Sequence, residues 1–125
     1  MPAYDADLFF PPAPVARVIL RDSQTSQTVS DISLLIDSGA DVTLIPQTAV
    51  DELGITTDAE HYELQSFDQH ISTVHSANLE LLFLNRTFRG KFLISDQEFG
   101  ILGRDILNHV SIVLDGPRLT WRESN

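Results

Sequence analysis

Leu34-Leu35-Ile36-Asp37-Ser38-Gly39-Ala40-Asp41 is the stretch from which the rest of the chain can be read. Three apolar residues in a row form a strand, and the strand ends on a carboxylate followed at once by three small residues. The backbone can approach that carboxylate closely. Gly39 permits a tight loop whose amides donate to Asp37, and Ser38 adds a hydroxyl that can bond a neighbouring backbone group. Such a place suits catalysis. Asp-Ser-Gly is also a common turn composition, so the triplet alone decides nothing.

Upstream, residues 1–14 hold two Asp, then Leu8-Phe9-Phe10 and three prolines, a density that excludes a paired central strand. An extended arm over 1–14 and one domain over 15–125 are expected. From Val15 the chain turns apolar through Val18-Ile19-Leu20, crosses a polar stretch from Asp22 to Thr28, and resumes at Ile32. Two strands joined by a loop fit this pattern.

Downstream of the triplet, Val42-Thr43-Leu44-Ile45 is β-branched and apolar. Pro46 suits the first turn of a helix over 47–53, and Gly54 stands where a left-handed residue ends it. Residues 61–74 alternate loosely and suggest a hairpin with an exposed polar tip. A second hairpin is expected over 77–84 and 87–94, turning about Asn85-Arg86. In its later strand Phe88, Phe92 and Ile94 share one parity while Arg89 and Lys91 take the other, the period of a half-buried strand. Ile101-Leu102-Gly103-Arg104-Asp105 begins as a strand end and continues as a short helix. Residues 110–114 and 118–121 then flank the turn signal Asp115-Gly116-Pro117. The sum is a mostly β domain with two short helices and no internal repeat.

At 125 residues, with 42% hydrophobic and 21% charged residues, the chain has the composition of one globular domain. Eight basic residues against eighteen acidic ones give a net charge of −10, which repels phosphate backbones and anionic membrane surfaces. Neither nucleic acid nor a membrane is an expected partner. There is no cysteine, hence no disulfide and no thiolate metal site. Residues 1–14 lack the basic start and apolar core of a signal peptide, and no apolar run approaches a membrane span. A cytoplasmic protein is the expectation.

Several chemistries fit poorly. The loop at Asp37 lacks the alternating ligands of an EF-hand, and Thr48 stands where its final Glu belongs. Ser38 lacks the Gly-x-Ser-x-Gly frame of a hydrolase nucleophile. His61, His70, His75 and His109 have no tight metal spacing, so no histidine metal site is expected.

The two elements Leu35-Ile36-Asp37-Ser38-Gly39-Ala40-Asp41 and Ile101-Leu102-Gly103-Arg104-Asp105, in this order in a β-rich chain of this size, resemble the retropepsin-like aspartic proteases. The resemblance covers roughly residues 15–122. It implies an acid-protease half-barrel that forms a two-fold homodimer and hydrolyses polypeptides without a cofactor. By it, Asp37, Ser38 and Gly39 form the catalytic triplet, with the Asp37 carboxylate reactive and the Ser38 hydroxyl bracing the two loops across the dimer. Ala40, Asp41, Phe67 and Ile101 would contact substrate, and Arg104 and Asp105 would support the loop, Asp41 either touching substrate backbone or pairing with Arg104. The family's flap falls on residues 61–74, with Ser66-Phe67-Asp68-Gln69 near its tip. Retroviral flaps are glycine-rich, whereas no glycine occurs here between Gly54 and Gly90. The alternative function is a catalytically inactive dimeric module of the same fold that captures peptides or serves assembly.

Overall fold

The computed structural model describes residues 2–57, 62–65 and 71–124. In chain order these form β1 (Tyr4–Asp5), β2 (Ala13–Arg21), β3 (Thr28–Ile36), β4 (Leu44–Pro46), α1 (Gln47–Leu53), β5 (Tyr62–Gln65), β6 (Ile71–Phe83), β7 (Arg86–Ser95), β8 (Gly100–Leu102), α2 (Arg104–Leu107), β9 (Ile112–Asp115) and β10 (Thr120–Glu123). The large sheet runs β1-β2-β3-β8-β4-β7-β6-β5, and a further pairing of β2 with β6 closes six of these strands into a barrel. Closure leaves no exposed edge along the barrel wall. The mostly β architecture with two short helices expected of the sequence is the one found.

Alternation fills the barrel. On β2, Ala16, Val18 and Leu20 are fully buried while Arg17 and Ile19 between them face outward. Leu34, Ile45, Leu79, Leu81, Leu102 and Ile106 complete the interior, and α1 adds Ala49, Val50 and Leu53. Helix α1 spans the expected residues. Gly54 at φ 71° ends it, its N–H returning to the carbonyls of Asp51 and Val50. At one end of the barrel Trp121 packs on Phe83 with ring centroids 5.9 Å apart, and its indole N–H donates to the Val15 carbonyl at 2.9 Å.

Three boundaries differ from the sequence reading, each for a local reason. Strand β3 begins at Thr28 rather than Ile32. Val18 pairs with Ile32 but Leu20 pairs with Val29, so β3 holds one extra residue, and Asp31 takes a left-handed φ of 59° there. That bulge breaks the phase of the apolar alternation and hides the strand's first turns of pleat. The β6–β7 hairpin turns on Leu84 and Asn85, not Asn85 and Arg86: Phe83 pairs with Arg86, and both central residues have φ above 50°. A two-residue loop matching strand twist demands that conformation, and a leucine does not advertise it. The last turn runs Gly116–Arg118 as a 3₁₀ segment, because the Asp115 carboxylate accepts from the Arg118 N–H and pairs with its guanidinium at 2.9 Å. Strand β10 therefore starts at Thr120, later than the apolar pattern indicates, while β9 starts at Ile112.

The N-terminal segment folds back on the domain. Tyr4 and Asp5 pair with Pro14 and Ala13, so β2 includes the last two residues of the expected arm, and Ala3 bridges Thr120 of β10. The prolines sit at this edge, where a missing N–H is tolerated.

Where β2 closes on β6, the buried Glu80 carboxylate lies between two arginines. Arg21 Nε donates to Oε1 at 2.6 Å and Arg89 Nε to Oε2 at 2.6 Å, Arg21 from β2 and Arg89 from β7, each directly opposite Glu80 in register. Their hydrogen bonds, Arg21 first, hold the Glu80 carboxyl below its ordinary value. A carboxylate removed from water at a sheet seam is satisfied on both oxygens.

Candidate active site

Parallel pairing of β3 with β8 brings the two sequence motifs together: Leu34 lies opposite Gly100, Leu35 opposite Ile101 and Ile36 opposite Leu102. Both strands end at the same level, and the Asp37 N–H continues the ladder by donating to the Leu102 carbonyl at 3.1 Å. The chain then turns. The Gly39 N–H donates to Asp37 Oδ1 at 2.9 Å, and the Ala40 N–H donates to the Asp37 carbonyl at 3.1 Å. Asp37 is half-buried, while Ser38, Gly39 and Asp41 are exposed beside it.

The loop is held from α2. The Arg104 N–H donates to the Ala40 carbonyl at 2.9 Å, and its guanidinium donates from Nη1 to the Ser38 carbonyl at 2.8 Å and from Nη2 to Asp41 Oδ1. Asp41 thus forms the ion pair with Arg104 that the sequence reading offered as one of its roles. That pair is solvent-exposed, Asp41 at 83%, so its Coulomb contribution to stability is at most about 1 kcal/mol. Its effect is geometric: one planar guanidinium spans two points of the loop.

Gly103 precedes Arg104 because nothing larger fits. A Cβ there would lie 2.5 Å from the Val42 carbonyl carbon, within backbone that cannot give way. This close approach sets the loop carrying Asp37 directly against the start of α2.

Sequence reasoning missed Thr43. It is almost completely buried, its hydroxyl donates to Asp105 Oδ1 at 2.7 Å and accepts from the Gly103 N–H at 3.1 Å, and its own N–H donates to Asp105 Oδ2 at 3.1 Å. The available signal was one hydroxyl in the apolar run Val42-Thr43-Leu44-Ile45, a polar atom that burial obliges to find partners. Asp105 lies on α2 as a support, and Ile101 is half-buried on β8, paired also with Leu44 of β4.

Of the flap segment, Tyr62–Gln65 pairs antiparallel with the first residues of β6, Gln65 opposite Ile71 and Tyr62 opposite Val74. Phe67 and the tip lie outside the described residues, so no place is assigned to Phe67. Among the described residues no group of three or more His, Asp or Glu side chains is gathered to hold a metal ion, and no helix is long and apolar enough to cross a membrane.

Chemically, the arrangement presents one fixed carboxylate on an open face. One such group can take a proton or give one, but it cannot do both within a single step.

A family model described as retroviral aspartyl protease matches residues 12–115. Among solved structures, EIAV protease complexed with the inhibitor HBY-793 is similar with a TM-score of 0.59 and 21% sequence identity, the likeness covering 78% of this chain and 86% of that one. At that identity the likeness establishes a shared fold. No curated protein matches the chain.

Proposed function

The chain belongs to the retroviral aspartyl protease family, and from that premise we propose that it is an aspartic endopeptidase active as a homodimer, each subunit contributing Asp37. The observation that carries this reading is the half-site itself: a single Asp-Ser-Gly in 125 residues, latched to Arg104 and facing outward. A two-fold axis supplies the second copy.

Two carboxylates at close range do not both ionise readily, so the pair holds one proton between them. The charged member takes a proton from a bound water, and the protonated member donates to the peptide carbonyl as the water oxygen bonds to its carbon. Collapse of that tetrahedral centre breaks the carbon–nitrogen bond, and the departing amine carries a proton away. The Gly39 N–H steadies the Asp37 carboxylate, and Ser38 braces the facing loops. Polypeptide backbone would run over Ala40 and Ile101, and Phe67 is a further residue proposed to contact it.

The test incubates wild type and Asp37→Asn with a mixed peptide pool from mildly acidic to neutral pH and identifies fragments by mass spectrometry. Cleavage by wild type alone, fastest on the acid side of neutral, is expected. A rate still rising above about pH 9, where an ordinary carboxylate pair has lost both protons, contradicts the mechanism. A folded wild type that binds peptides without cutting them would instead be the inactive module.

A further inference from the structure

We propose that the outer wall formed by β2, β6 and β7 docks an extended acidic segment of a partner polypeptide, one that carries two carboxylates four residues apart with an apolar residue midway between them. The docking is independent of the endopeptidase reading.

Charge is laid out unevenly on this chain. Strands β2, β6 and β7 hold five of its eight cations and a single carboxylate, Glu80, which leaves three cations among seventeen carboxylates elsewhere. The three strands are neighbours, β6 pairing with β2 on one side and with β7 on the other. A chain of net charge −10 therefore has one positive side, and that side attracts what the rest of the surface repels.

Register decides what the wall presents. Along β2, Arg17, Ile19 and Arg21 alternate with buried Val18 and Leu20 and so point outward. Ile19 stands opposite Leu82 of β6, Arg21 opposite Glu80, and Glu80 opposite Arg89 of β7. One carboxylate between two arginines leaves a surplus positive charge. Glu80 also orients both guanidinium groups: Arg21 gives it Nε, and Arg89 gives it Nε and Nη2, so the N–H groups directed away from Glu80 form a preset fork for a further carboxylate. Ile19, 38% exposed, is an apolar spot framed by these cations. Asp5 shares the field of Arg17, which makes Arg17 a weaker anchor than Arg21.

The same geometry selects the occupant. At Ile19 and Glu80 both β2 and β6 are paired on each side, so a partner cannot add a strand and must bind through side chains. Outward residues of one strand recur about every 6.6 Å, and an extended peptide presents every second side chain at that spacing. Arg17-x-Ile19-x-Arg21 is thus matched by acid-x-apolar-x-acid, a pattern that reads alike in either direction. A short segment interacts mainly with groups within a Debye length, about 8 Å at physiological salt, whereas a long polyanion such as nucleic acid also meets the carboxylates elsewhere. The wall lies apart from the Asp37 loop, since β2 runs antiparallel to β3 and Arg21 stands opposite Thr28, at the far end of β3.

Fluorescence anisotropy tests the wall, on the full chain carrying Asp37→Asn so that no probe is cut. The probe is a labelled peptide with a glutamate two residues to either side of a leucine and serines elsewhere. It should bind, more weakly as salt rises, and lose affinity about fivefold or more when both glutamates become glutamine or are moved next to the leucine. Ile19→Glu should weaken binding about tenfold or more, Arg17→Ala by less, and Arg122→Ala on β10 not at all. Arg21 and Arg89 are left intact because removing either takes a partner from buried Glu80. If Ile19→Glu does not fold, Arg17→Glu decides, with a similar loss expected. The proposal is overturned by a folded chain that does not bind at low salt, by equal binding of the glutamine peptide, by indifference to the deciding variant, or by single-stranded DNA of equal charge binding as tightly. Cleavage plays no part in the readout, so an inactive wild type leaves this docking site standing, and absent docking leaves the endopeptidase reading standing.

Discussion

Thr43 and Asp105 are joined twice, hydroxyl to Oδ1 at 2.7 Å and N–H to Oδ2 at 3.1 Å, although 62 residues separate them in sequence. The same hydroxyl accepts from Gly103, so one buried threonine ties the segment after the Asp37 loop to the start of α2. Thr43→Val keeps the volume, removes the hydroxyl and leaves the buried Gly103 N–H without its acceptor. A loss of about 1–3 kcal/mol is expected by urea unfolding, with Thr43→Ser retaining most of the stability. Equal midpoints for the valine and serine variants would refute the latch.

Gly103→Ala forces a methyl against the Val42 backbone. Overpacking of this kind costs about 1–3 kcal/mol, and here it also displaces Arg104 from the loop. A lowered unfolding midpoint together with lost cleavage is expected; wild-type values for both would mean that the approach is looser than the distances state.

For Arg104 the two readouts should separate. Its ion pair is exposed, so Arg104→Ala should shift stability by about 1 kcal/mol or less, yet it frees the Ser38 carbonyl and Asp41 from a shared anchor. Turnover should therefore fall more than stability does. Thermal unfolding and peptide cleavage on the same preparations check this, and full activity in the variant would sink it.

Glu80 sets an acid limit. Its carboxyl is held below the ordinary value of 4.5 by Arg21 and Arg89, so the folded state favours the ionised form. The sign follows: this stabilisation is fully present above the unfolded value and is lost as pH falls through the lower folded one. Unfolding midpoints measured from pH 7 downward should decline below about pH 4.5, and Glu80→Gln, less stable at neutral pH, should decline less. Parallel curves would mean that other carboxylates dominate.

Shared catalysis predicts quadratic poisoning. After full subunit exchange with Asp37→Asn at fixed total concentration, random pairing leaves about a quarter of the activity in an equal mixture. A straight-line fall to about half would require a complete site within one chain.

Much of this protein is written locally. The strand ending on Asp37, the small residues after it, the Gly103-Arg104 step, the helix cap at Gly54 and the alternation on β7 each depend on a few neighbouring residues, whose propensities and turn chemistry act at short range. Tertiary structure alone decided what those pieces meet. Glu80 gives no local sign that arginines 59 residues before it and nine after it will satisfy its oxygens. Thr43 is an ordinary β-former until burial obliges its hydroxyl to find partners. The outer edge of β10 is covered by the chain's own N-terminus, Ala3 bridging Thr120, a contact across more than a hundred residues that no local pattern announces. The bulge at Asp31 and the turn at Leu84 shift register by single residues, and a single-residue shift reverses which face each side chain occupies. Local chemistry specifies elements, whereas partners across a sheet follow from register, which is settled only when the barrel closes and its buried groups are all satisfied.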